Sequence, residues 1–124
     1  MKIHWIEPSK RFEVTSFSSE IIDGMAGTMT TTYECPRCGT KLGFTKDNFE
    51  TRSARRVTNL DAATAAALDD AASKRGVDTD RYLDWSCTRC ALAVRAYVRP
   101  WVAGRGDHGV DIITVAEVTR PADR

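Results

Sequence analysis

The chain has 124 residues, 42% hydrophobic and 28% charged, with a net charge of +1, a composition that fits one soluble domain spanning residues 1–124. No apolar run approaches the ~20 residues that cross a bilayer, and Glu7 and Pro8 interrupt the opening stretch before it can serve as an export signal, so the expectation is a cytoplasmic protein without a membrane partner. A pI near 7.7 argues against a general nucleic-acid binder, whose domains usually exceed about 9.

Residues 2–7 read as a strand, because Ile3, Trp5 and Ile6 are β-formers. Residues 8–10 are a turn, and residues 11–17 read as a second strand in which Phe12 and Val14 alternate with polar residues. Residues 19–23 suggest a short third strand before a loop at 24–27. Residues 28–34 are Thr-rich and β-type, and lead into the first cysteine pair. Residues 41–44 leave it, so 28–44 is expected to be a hairpin with the cysteines at its tip. Residues 45–58 lack clean periodicity and read as an irregular connector.

Residues 60–75 predict a helix. The stretch is dense in Ala, the best helix former. Leu60, Ala63, Ala67, Leu68 and Ala71 share one face at helical spacing. Asn59 or Asp61 can cap its start, Lys74 and Arg75 suit its last turn, and Gly76 suits the C′ position. Such a face of small residues requires close approach to whatever it covers.

Residues 82–86 and 91–98 flank the second cysteine pair, and 82–99 reads as a second hairpin. Leu92, Val94, Ala96 and Val98 fall on one face and Arg95, Tyr97 and Arg99 on the other. Pro100 ends or edges that strand. Residues 103–109 are a Gly-rich turn, which accounts for the Arg105-Gly106-Asp107 tripeptide as hairpin chemistry. Residues 110–118 read as a last strand, and 119–124 as a frayed tail.

The four cysteines fall in two identical spacings, Cys35-Pro36-Arg37-Cys38-Gly39 and Cys87-Thr88-Arg89-Cys90. A C-x-x-C turn aims both sulfurs at one point, and two such turns complete a tetrahedral shell for Zn²⁺. Four protein ligands leave no position for water, so the site is expected to be structural. A reducing compartment favours metal over disulfides. A single iron in a four-cysteine site is the rival ion, and a redox C-x-x-C lacks its thioredoxin-like setting.

Two knuckles on hairpin tips resemble the zinc-ribbon group over residues 28–44 and 82–99. The resemblance implies a mostly β (α+β) fold: a zinc-ribbon-centred antiparallel sheet with one Ala-rich helix inserted between the knuckles. The group includes nucleic-acid binders and protein-docking modules. In size and domain style the chain also resembles small bacterial immunity proteins that neutralise delivered toxins, which implies a protein partner.

Basic residues collect around the knuckles. Arg37, Lys41, Arg89, Arg95 and Arg99 are expected to share a face, with Tyr97 placed to stack a base. The alternative is solvated charge that offsets the thiolates. His4 and His108 lie far apart and read as surface or turn residues, and Trp5, Trp85 and Trp101 as core. No paired carboxylates, phosphate loop or activated nucleophile is recognisable. The expected function is therefore a non-enzymatic zinc-stabilised protein-binding module, with a nucleic-acid-binding ribbon as the alternative.

Overall fold

A computed structural model describes residues 1–18, 29–49, 60–102 and 108–120. Their elements are β1 (Lys2–Ile6), a 3-10 turn (Pro8–Lys10), β2 (Ser16–Ser18), β3 (Thr30–Glu34), β4 (Lys41–Thr45), α1 (Lys46–Phe49), α2 (Ala62–Arg75), β5 (Tyr82–Ser86), β6 (Ala93–Val102) and β7 (His108–Thr119). The expectations for residues 19–27 and 50–58, and for most of the 103–109 turn, lie outside the described residues.

The architecture is mostly β and antiparallel. The main sheet has the order β1-β7-β6-β5, and β2 also pairs with β7. Strand β7 is the hub: β6 runs along one edge, and β1 and β2 share the other. A bulge between Tyr97 and Val98 of β6 shifts the register, so that Tyr97 faces Thr114 while Val98 faces Ile112. The extra residue, Ile113, inverts the alternation of β7. Val110 and Ile112 therefore point to the same side as Val115, whereas Ala116 and Val118 point to the other.

Both sides of this sheet are covered. One carries a mainly aromatic core of Phe12, Phe17, Tyr33, Phe49 and Trp85 around Val94, Ala96, Val98 and Val115. The hairpin of β3 and β4 closes this side, in the register Glu34↔Lys41 to Thr30↔Thr45. Ring pairs bind the hairpin to the sheet, with Trp85 at 5.1 Å from Tyr33 and 4.8 Å from Phe44.

On the other side, Leu68 and Ala72 of α2 pack with Tyr82, Ala93, Tyr97, Ala116 and Val118. Small residues on both partners allow the close approach that the Ala-rich sequence demands. Asp61 caps the helix by accepting from the Thr64 N–H at 2.7 Å, and Gly76 closes it at φ 85°. The buried face differs from the expected one. It is Thr64, Leu68 and Ala72, while Ala63 is exposed and Ala67 and Ala71 are half-buried.

Residues 11–17 are a further correction. Arg11 and Phe12 end a 3-10 turn through N–H bonds to the Pro8 carbonyl, and Phe12 makes an isolated bridge to Tyr33. Only Ser16–Ser18 is strand, because the chain must first cross from the hairpin layer to the edge of β7. The connector after β4 begins with the single turn of α1, whose Phe49 enters the aromatic core. Pro100 does not end β6. The strand continues to Val102 past the last residue paired with β5, where a proline costs no ladder bond.

Candidate metal centre

Each cysteine pair sits at the end of a hairpin, and the two turns are built alike. The Cys35 N–H donates to the Thr40 carbonyl and the Cys87 N–H to the Leu92 carbonyl, both at 2.9 Å. The Gly39 N–H then returns to the Cys35 carbonyl, and the Ala91 N–H to the Cys87 carbonyl, again at 2.9 Å. Both closing residues take positive φ, Gly39 at 76° and Ala91 at 61°. The turns thus obey one geometry although their sequences differ in two of five positions.

Strands β3 and β5 bring the two turns together. All four Sγ atoms lie within 4.8 Å of one another. Cys35 Sγ is 3.5 Å from Cys90 Sγ, and Cys38 Sγ is 3.5 Å from Cys87 Sγ. A disulfide needs about 2.05 Å, and all four cysteines are free. The edge of a regular tetrahedron of sulfurs around zinc is about 3.8 Å, from a Zn–S bond of about 2.3 Å. Four sulfurs at these separations are close enough together to hold one metal ion.

The thiols differ in environment. Burial pushes the Cys35 thiol up to about 12. The Thr40 hydroxyl, 3.0 Å from Cys38 Sγ, and the Thr40 N–H hold Cys38 down to about 6. Burial opposes ionisation of Cys87, but the N–H groups of Cys90 and Arg89 outweigh it and lower that thiol. Arg37 ties the turns together, its Nη2 donating to the Cys90 carbonyl at 2.9 Å.

The basic residues do not form one face. Arg95 is fully buried on the helix side of the sheet. Its Nε and Nη2 grip the two oxygens of Asp84 at 2.7 and 3.0 Å, and its Nη1 reaches Asp69 of α2 at 2.9 Å. Its guanidinium lies 3.6 Å from the centre of the Tyr82 ring. Tyr97 is 2% exposed and donates to the Leu68 carbonyl, so it has no free face for a base. Arg99 is exposed and paired with Asp78. Arg37, Lys41 and Arg89 are exposed near the knuckles.

His4 bonds Thr119 through Nε2 at 3.2 Å, and His108 opens β7 at the surface. Trp85 is buried, while Trp5 and Trp101 are half-buried. A second polar cluster was not visible in sequence. The Glu117 carboxylate, 5% exposed, accepts from Arg11 Nε at 2.7 Å, Arg11 Nη2 at 3.0 Å and the Tyr33 hydroxyl at 2.6 Å. It ties β7, the 3-10 turn and β3 across the core, and burial beside this carboxylate raises the Tyr33 phenol far above its ordinary value. The only clue in the sequence is a lone Glu amid the apolar run at the end of β7.

No protein-family model, curated protein or solved structure matches the chain. None of the described helices is long and apolar enough to cross a membrane.

Proposed function

We propose that Cys35, Cys38, Cys87 and Cys90 bind one Zn²⁺ as a structural centre of zinc-ribbon type, and that the domain so braced is a non-enzymatic module that docks on a protein partner. The observation that carries the metal reading is the convergence of four free sulfurs within 4.8 Å from two matching turns. An all-cysteine shell closes the coordination sphere, which suits a bracing ion rather than a catalytic one. Glu117, the buried carboxylate nearest in style to a catalytic acid, is already taken up by Arg11 and Tyr33.

The docking role is supported by the uneven charge of the sequence and by the loss of the rival surface. A nucleic-acid ribbon would rely on Arg37, Arg89, Arg95, Arg99 and Tyr97 together, and burial withdraws Arg95 and Tyr97. Neutralisation of a toxin is one concrete form of the docking role.

Native mass spectrometry of the chain, purified without added metal, tests the centre. One zinc per chain is expected; an iron centre would instead give a coloured protein, and a metal-free folded chain would overturn the reading. Affinity capture from the source cell tests the role: a stoichiometric protein partner is expected, and recovery of nucleic acid alone would overturn it.

A further inference from the structure

The four sulfurs differ in access, and the difference falls across the turns. Cys35 and Cys87 are 1% and 4% exposed, whereas Cys38 and Cys90 are only half-buried. Each half-buried sulfur has a buried one of the other turn 3.5 Å away: Cys87 beside Cys38, and Cys35 beside Cys90. Redox-responsive thiols share this layout, an accessible sulfur next to a second that resolves it. A disulfide needs about 2.05 Å between sulfurs, so closing either pair takes about 1.5 Å of movement. Both links run between the turns and close loops of roughly fifty residues. A link inside one turn, Cys35 to Cys38 or Cys87 to Cys90, leaves β3 and β5 free to part.

We propose that Cys38 and Cys90 are sites of modification by hydrogen peroxide, and that Cys87 and Cys35 resolve them into two cross-turn disulfides that take over the bracing role of the metal. The Cys38 thiolate attacks the peroxide and breaks its O–O bond, giving a sulfenic acid, oxidised by two electrons, and hydroxide. The Cys87 thiolate then attacks that sulfur, forms the S–S bond and expels the oxygen as a second hydroxide. Cys90 and Cys35 follow the same course. In all, four thiolates, two peroxides and four protons become two disulfides and four waters. The ion is released because a disulfide sulfur carries no ligand charge. The inference rests on the metal reading and extends it: the fastening between the hairpins outlasts the ion, so the docking domain keeps its shape when an oxidant strips the centre.

The test treats the full chain with hydrogen peroxide after its metal content has been measured on the same sample. Trypsin cuts after Arg37 and Arg89, inside the two C-x-x-C spacings, and so places all four cysteines on separate peptides whose linkage mass spectrometry reads directly. The expected result is release of the zinc into a colorimetric chelator, loss of all four thiols, and linked peptides joining Cys38 to Cys87 and Cys35 to Cys90. Dimedone present during the treatment traps the sulfenic acid on Cys38 or Cys90. The oxidised, metal-free chain melts about 10 °C or more above the reduced chain in excess chelator, because links across long loops restore much of what the ion supplied. Disulfides within the turns, dimedone on Cys35 or Cys87, sulfinic acids in place of disulfides, or a midpoint no higher than that of the chelated chain overturn the proposal. A one-zinc chain that keeps its ion and its thiols under peroxide defeats the proposal alone. A chain purified without metal that still forms both cross-turn pairs defeats the metal reading alone.

Discussion

At the scale of single residues, the two knuckles invite a direct comparison. Gly39 and Ala91 close the same turn at similar positive φ, yet only glycine reaches this region without a steric cost of about 1–2 kcal/mol. Ala91→Gly is therefore expected to stabilise the protein by about 1 kcal/mol, read as a higher urea midpoint with an unchanged slope. Arg95 presents the opposite situation, a charge with no route to water. Its side chain and that of Asp84 are both 0% exposed, so Arg95→Met strands a buried carboxylate and is expected to cost about 3–5 kcal/mol. Replacing both, Asp84→Leu with Arg95→Met, restores most of that loss, and a double-mutant cycle measures the coupling. At Gly109 an added Cβ would lie 2.1 Å from the Phe17 carbonyl oxygen and 2.3 Å from the Trp101 ring. Gly109→Ala is expected to cost about 1–3 kcal/mol by forcing these groups apart, with loss of amide protection across Ser16–Ser18 as its local sign.

Among the elements, α2 depends on a cap that titrates. The Thr64 hydrogen bonds hold the Asp61 carboxyl below its ordinary value, aided by Arg120. A carboxyl with a depressed folded-state pKa stabilises above its unfolded value near 4 and loses that contribution as pH falls through the folded one. Thermal melts should therefore show an acid loss below about pH 4 that Asp61→Ala removes, together with lower stability at neutral pH. The sequence announced this helix through its alanines and its two ends, but not through its face. Alanine differs too little between inside and outside to orient a helix, and the rotation is set by Leu68 against Tyr97 and by Asp69 against Arg95. Both partners lie on β6, remote from α2 in the chain. The same limit hid Arg95 itself, whose place in the β6 alternation matched an exposed cation until Asp84 and α2 closed over it. The cysteine turns were legible because their information is local, the C-x-x-C spacing sufficing even where Ala91 replaces a glycine. Residues 11–17 were not, since Phe12 leaves the strand pattern to meet Tyr33 and Phe49.

For the whole molecule, the metal reading makes folding and ion binding one equilibrium. A strong chelator is expected to lower the melting midpoint by at least about 20 °C, as each kcal/mol is worth about 4 °C in a domain of this size. Cys38→Ser should behave like the chelated protein and show no further response to chelator; a mutant with wild-type circular dichroism and midpoint would remove the ion from the account of stability. The hub position of β7 reaches further. Strands β1, β2 and β6 all precede it in the chain, yet each finds its ladder partner in it. While a ribosome has released only residues 1–107, the first two strands have no neighbour to join, and the aromatic rings they should help cover stay wet. Assembly of the sheet thus waits for this strand, which must leave the ribosome before β1 and β2 can pair.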